Sequence, residues 1–160
     1  MEGKIDAIDA DGKKLDIKLY WFIGSQPVRA MLSILDLANV KYESNVVNMM
    51  TGEHKKPEFL AVNPAGVLPT LIINGKRYDE SAACLRLLAS ILPGLESYYP
   101  KDVYKRHAID AAMDFSGTTM RPSFHERNML CFAQLGAGGK IDDALKAKID
   151  TANAAFHVAL

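Results

Sequence analysis

The sequence predicts an α/β domain followed by a helical segment. Three observations carry this. Residues 15–21 alternate apolar and polar side chains, and from Gln26 the apolar spacing changes to that of a helix before a second extended stretch begins. An Asn-Gly pair at 74–75 joins two short strand-like runs, with a helix directly after them. Beyond residue 102 the chain reads as two helical stretches separated by a glycine-rich break.

In order, Leu15, Ile17, Leu19 and Trp21 alternate with Asp16, Lys18 and Tyr20, which is the period of a half-buried strand. Val28, Met31, Leu32, Leu35 and Ala38 then share one helical face. The stretch 39–48 is extended, with Tyr42 and Val46 in phase, and a crossover of this length favours a parallel strand pair. Residues 51–66 form a loop with one short helix over 57–62. Leu71, Ile72 and Ile73 start a hairpin that turns at Asn74-Gly75 and returns through Lys76–Tyr78. A helix follows, with Glu80 or Ser81 near its start and Pro93-Gly94 as its stop.

These elements divide the chain into a polar extension (1–14), an α/β domain (15–93), a linker (94–101) and a helical segment (102–160). In the last, Asp102 opens a helical stretch to about Gln134, which Gly117 and Pro122 are expected to bend or break. "LGAGGK" (135–140) is an expected flexible break. Asp142 opens a final helix with Ile141, Leu145, Ile149, Ala152, Phe156 and Leu160 along one face.

Composition narrows the function. The hydrophobic fraction is 49%, enough for a packed core, and 19 basic residues balance 19 acidic ones. That balance recommends neither nucleic acid nor an anionic membrane as a partner. The longest apolar runs fall far short of the ~20 residues of a membrane helix. The polar start lacks the apolar core of a secretory signal. Cys84 and Cys131 give neither a disulfide framework nor a zinc spacing, so a cytoplasmic chain with reduced thiols and no metal is expected.

Four places offer chemistry. Pro69 stands at a strand entrance, where a cis Leu68–Pro69 bond would turn the Leu68 amide and carbonyl outward to pair with a bound peptide; an ordinary trans proline fits the same position. Ser81 at a helix start suits a carboxylate, and Glu80 beside it suits an ammonium group, which together describe the end of an amino acid; a plain helix cap is the alternative. His54, next to Lys55 and Lys56, either meets a second carboxylate or belongs to a solvated basic loop. Ser25 and Tyr20 both lie near the end of the first strand, where a hydroxyl could serve a bound thiol. Lowering a thiol pKa of ~8.5 by ~2 units takes about 2.7 kcal/mol. One hydrogen bond to the anion contributes roughly 1.5–3 kcal/mol, and a helix start about 0.3–1 kcal/mol more. Ser25 has that address, whereas Tyr20 lies in the strand five residues earlier, where its ring can simply pack.

"LYWFIGSQPVRA", "TGEH", "NPAGVLPTL" and "DES", in this order, resemble the glutathione transferases, and the theta class most closely. The steps are the specific part: 29 residues from Ser25 to His54, 14 to Leu68 and 12 to Glu80. The resemblance implies a thioredoxin-like first domain (β-α-β-α-β-β-α) and an all-α second domain that residues 102–160 would fill in part. It implies that Ser25 does two jobs, capping the helix and hydrogen-bonding the glutathione thiolate, and that His54 meets the glycyl carboxylate. Val67 and Leu68, before a cis Pro69, would hold the cysteinyl part, and Glu80 and Ser81 the γ-glutamyl end. It assigns no role to residues 1–14. The absence of a cysteine at position 25 speaks against thiol–disulfide chemistry.

The implied activity is conjugation of glutathione, as cosubstrate and without a further cofactor, to electrophilic small molecules by a homodimer. A glutathione-dependent peroxidase would use the same residues, and a non-catalytic glutathione-binding module is the third reading.

Overall fold

The computed structural model describes residues 3–122, 130 and 142–159, with side chains as far as 151 in the final helix. Its described residues fall into two compact units, 1–103 and 104–160.

The first unit is built on a four-stranded sheet. Strand β1 (Ile17–Trp21) leads into α1 (Gln26–Leu37) and β2 (Glu43–Val46). A 3₁₀ turn (Glu53–Lys55) and the short α2 (Pro57–Leu60) follow. Then come β3 (Thr70–Ile73), β4 (Lys76–Tyr78) and α3 (Ser81–Ile91). The sheet order is β2-β1-β3-β4, with β1 and β2 parallel and the other pairs antiparallel. This is the thioredoxin-like arrangement.

Helices α1 and α3 pack together on one face of the sheet. Ile17 and Leu19 from β1, Met31 and Leu35 from α1, Leu71 from β3 and Leu88 from α3 are buried in a single core. On the other face the Tyr20 ring meets Phe59 of α2, with centroids 5.9 Å apart. The hairpin turn has positive φ at both Asn74 (52°) and Gly75 (77°), the geometry an Asn-Gly pair favours. Leu95 is fully buried in the core of this unit, although it lies within the stretch expected as a linker.

Two local features differ from the sequence reading. The second strand is only four residues long, and Val46 is exposed whereas Val47 is buried. Asn39 takes φ 50° and ends α1, so residues 39–42 lie outside β2, and Val40 pairs with Ile5 instead. The N-terminal residues thus extend the fold. Ile5 N–H donates to Asn39 O and Lys41 N–H to Ile5 O, while Leu15 N–H donates to Ala7 O. Ala7 is buried in the same core as Leu15.

In the second unit, α4 (Val103–Phe115) does not break at Gly117. It widens into a π turn over Ser116–Met120, with Arg121 N–H reaching back five residues to Ser116 O. Pro122, which lacks the N–H of a regular helical turn, follows immediately, so the wider turn falls where the α ladder would lose a bond. Helix α5 (Asp143–Ala159) starts at Asp142, whose carboxylate accepts the Leu145 N–H at 2.7 Å as an N-cap. Leu145 and Ile149 are half-buried. Ile141, Leu160, Cys131 and the 135–140 stretch lie outside the described residues, as do the side chains of Ala152 and Phe156. Among the described residues, no helix is long and apolar enough to cross a membrane.

Candidate functional site

Strand direction brings the candidate residues to one end of the sheet. Tyr20 pairs with Thr70, so β1 ends where β3 begins. Leu71 pairs with Tyr78, so β4 ends there as well, and Trp21 pairs with Val46 at the end of β2. Ser25, His54, Val67–Leu68 and Glu80–Ser81 sit on the four segments that leave or enter the sheet at this end. The clefts around Asp6, Asp16, Asn74 and Lys76, one of about 480 Å³, lie at the opposite end beside the N-terminal residues.

Ser25 occupies the N-cap of α1 with extended backbone (φ −79°, ψ 116°), but its side chain makes no capping hydrogen bond. The expectation that Ser25 caps the helix is therefore corrected. A capping hydroxyl accepts from the second or third helical N–H; the second helical residue is Pro27, which has none, and the Ser25 hydroxyl does not take up the third, on Val28. The hydroxyl points instead toward Leu68 O, 3.5 Å away, at the outer limit of a hydrogen bond. Tyr20 packs on Phe59, as noted above.

The Leu68–Pro69 bond is cis. Asn63 and Thr70, both fully buried, bracket this loop. Asn63 Nδ2 donates to Val67 O (3.2 Å) and to Thr70 Oγ1 (2.9 Å), and Asn63 Oδ1 accepts the Ala65 N–H. Thr70 Oγ1 donates to Val67 O at 2.9 Å.

His54 lies in the 3₁₀ turn and is half-buried; its Nδ1 is buried and meets no protein partner among the described residues. The turn is tied to the loop. Lys55 Nζ donates to Gly66 O (3.0 Å) and Ala65 O (3.4 Å). Gly66, at φ 60°, sits so close that a Cβ there would lie 2.7 Å from His54 O. The Glu53 carboxylate accepts the Asn48 N–H at 2.7 Å and fixes the other flank.

Glu80 is exposed and has φ 64° and ψ 105°, a backbone region that side-chain-bearing residues rarely enter. Ser81 is the first residue of α3 and half-buried. Behind them, Cys84 donates its thiol to Asp79 O at 3.4 Å. Burial, then the Asp79 and Glu80 charges, push that thiol up to about 11, so it is no nucleophile at neutral pH. Among the described residues no group of three or more His, Cys, Asp or Glu side chains could hold a metal.

The sequence reading missed Asn63, Thr70 and Lys55. The only sequence signal was polar residues flanking a Pro-Gly-rich loop, which is what any loop shows.

The family model described as "Glutathione S-transferase, N-terminal domain" matches residues 26–91. The chain is 31% identical over 142 residues to glutathione S-transferase D7 of Anopheles gambiae, covering 89% of this chain and 64% of that protein. The chain is thus similar to glutathione S-transferases over most of its length. Among solved glutathione transferases, an epsilon-class enzyme of the housefly Musca domestica is 31% identical with a TM-score of 0.67, matching 85% of this chain and 62% of its own. Human glutathione transferase theta-2, solved with glutathione and an unknown ligand, is 25% identical with a TM-score of 0.76, matching 89% of this chain and 58% of its own. This chain thus spans less than two thirds of each of these relatives.

Proposed function

We propose that the sheet end carrying Ser25, His54, Leu68 and Glu80 binds glutathione, and that the whole protein is a glutathione transferase conjugating the thiolate to electrophilic small molecules. The observation that carries this is the Ser25 hydroxyl. It is placed at a helix start, not used by the helix, and directed at the loop that would hold the peptide.

Ser25 has only a long contact to Leu68 O to give up, so its O–H rotates onto a sulfur anion at little cost. The Leu68 backbone pairs with the cysteinyl residue as an added strand would. His54 meets the glycyl carboxylate, and Glu80 and Ser81 at the start of α3 take the γ-glutamyl ammonium and carboxylate. Serine then holds the thiol as thiolate, and the bound peptide fixes where that thiolate attacks.

We read the class as theta-like. The spacing of the four site segments and the TM-score to human theta-2 support this, while the higher identities to insect enzymes support a delta or epsilon assignment. A cytoplasmic homodimer belongs to the same proposal, tested by sedimentation.

Retention on immobilised glutathione followed by turnover of a chromogenic electrophile tests the function. Retention with turnover that falls in Ser25→Ala is expected. Retention without turnover would leave a binding module and overturn the transferase reading.

A further inference from the structure

We propose that Asn63 and Thr70, with Lys55 as an outer tie, are positioning residues that set the backbone of loop 65–69 for glutathione, and that Val67 O is used up in doing so. This rests on the glutathione reading above.

A carbonyl oxygen has two lone pairs. At Val67 both are taken, one by Asn63 Nδ2 and one by Thr70 Oγ1. Both donors belong to fully buried side chains, so this arrangement is fixed from inside the protein. Val67 O is therefore turned inward and closed to ligand. The peptide-binding role falls to Leu68, whose carbonyl already faces Ser25. Val67 itself is exposed through its side chain, 52% accessible, and anchored through its backbone.

The same loop is held from the far side. Lys55 binds the carbonyls of Ala65 and Gly66, and Gly66 lies against the His54 carbonyl. The His54 turn and the Leu68 loop therefore move as one body. A ligand bridging His54 and Leu68 meets two contacts whose spacing is set by Lys55, Asn63 and Thr70, none of which needs to touch it. Buried polar networks of this kind rigidify when fully satisfied, and pre-set contacts reduce the ordering cost of binding.

The test compares Thr70→Val, which removes the hydroxyl at nearly constant volume, with Thr70→Ser, which keeps it. Lys55→Met, at an exposed position, is the third variant. Calorimetry with reduced glutathione is run where circular dichroism shows each variant folded, with amide exchange read at Val67 and Leu68 and at Leu19. Thr70→Val is expected to weaken binding about tenfold, and Thr70→Ser to stay within about threefold of wild type. Exchange should quicken at Val67–Leu68 and stay unchanged at Leu19. Lys55→Met should weaken binding about three- to tenfold without lowering Tm. A folded Thr70→Val with wild-type affinity overturns the proposal, as does a Thr70→Ser as weak as Thr70→Val. If Thr70→Val does not fold, Lys55→Met decides, and unchanged affinity there overturns it. Wild-type protein that fails to bind glutathione overturns the glutathione reading together with this one; a binding wild type with unaffected variants overturns this one alone.

Discussion

The Ser25 hydroxyl and the Leu68 carbonyl oxygen lie 3.5 Å apart, although 43 residues separate them in the chain. Their meeting follows from sheet direction: β1 runs out where β3 begins, so the turn after one faces the loop before the other. The contact is too long to hold either group firmly. It keeps the hydroxyl at the mouth of the loop and leaves it free to serve a stronger acceptor.

Ser25→Ala is therefore expected to raise the pKa of bound glutathione and to slow conjugation by roughly ten- to a thousand-fold, at ~1.4 kcal/mol per decade. Tyr20→Phe should change neither, because the Tyr20 ring is engaged in packing on Phe59. Thiolate absorbance against pH reads the first quantity and a chromogenic electrophile the second. A raised pKa in Tyr20→Phe with none in Ser25→Ala would reverse the assignment.

Glu80 separates stability from binding. Its φ of 64° and ψ of 105° cost roughly 1–3 kcal/mol for a residue with a side chain, and its side chain caps nothing. Glycine adopts this conformation freely, at a loss of about 0.5–1 kcal/mol from the greater freedom of the unfolded chain. Glu80→Gly should therefore raise stability by about 1 kcal/mol, whereas Glu80→Ala should not. Both should weaken glutathione binding, by about 1.5–3 kcal/mol if the lost contact is to a charged ammonium. Denaturant melts and calorimetry on the two variants give both numbers. Stabilisation without loss of affinity would remove Glu80 from the site.

Much of the fold was legible because it is written in local patterns. The α1 face of Val28, Met31 and Leu35 and the Asn-Gly hairpin follow from periodicity and turn chemistry, and the structure buries that face as expected. What was not legible depends on contacts between distant segments. Pro27 leaves the Ser25 hydroxyl one capping donor in place of two, which is readable in the sequence, whereas the contact to Leu68 is set by sheet register. The Asn63–Thr70 pair spans a proline- and glycine-bearing loop, where an asparagine ordinarily signals a turn. Ile5 pairs with Val40 across 35 residues, ahead of a β2 that starts only at Glu43, and no local pattern announces that pairing.

The N-terminal residues supply a test of their own. Ile5 exchanges two backbone hydrogen bonds with the 39–41 segment, Ala7 accepts one from Leu15, and Ala7 fills part of the core. Lys4 reaches Asp36 on α1 and lies over the Tyr42 ring at 5.0 Å. Deleting residues 1–8 removes these contacts and uncovers Val40 and Leu15. At roughly 0.5–1.5 kcal/mol for each backbone bond plus the apolar area, the loss should be about 2–4 kcal/mol. Glutathione affinity should stay within about twofold, because these residues pack at the opposite end of the sheet from Ser25. Urea melts and calorimetry on the deletion variant check both parts. Unchanged stability would show that this segment only rests on the fold.

Cys84 predicts a pH dependence in the alkaline range. Its thiol is pushed up to about 11 from an ordinary 9.0, first by burial and then by the Asp79 and Glu80 charges. The folded protein therefore keeps the proton to higher pH than the unfolded chain does. The sign follows: between about 9 and 11 the unfolded state binds fewer protons, so stability falls as pH rises through that window. Below about 9 both states hold the proton and Cys84 contributes no slope. The Tyr42 phenol is also raised, chiefly by burial, and acts in the same direction, so wild type alone does not isolate the cysteine. The comparison is with Cys84→Ala, which removes one titrating group from a site 3% exposed. Urea melts from pH 7 to 11 should show the wild type losing stability more steeply than Cys84→Ala above pH 9, with parallel curves below it. Alkylation of the native Cys84 thiol at pH 8 should be far slower than in urea, because the reactive thiolate is scarce and the sulfur is enclosed. Parallel curves throughout, together with fast native alkylation, would place Cys84 in contact with solvent and remove it from the core.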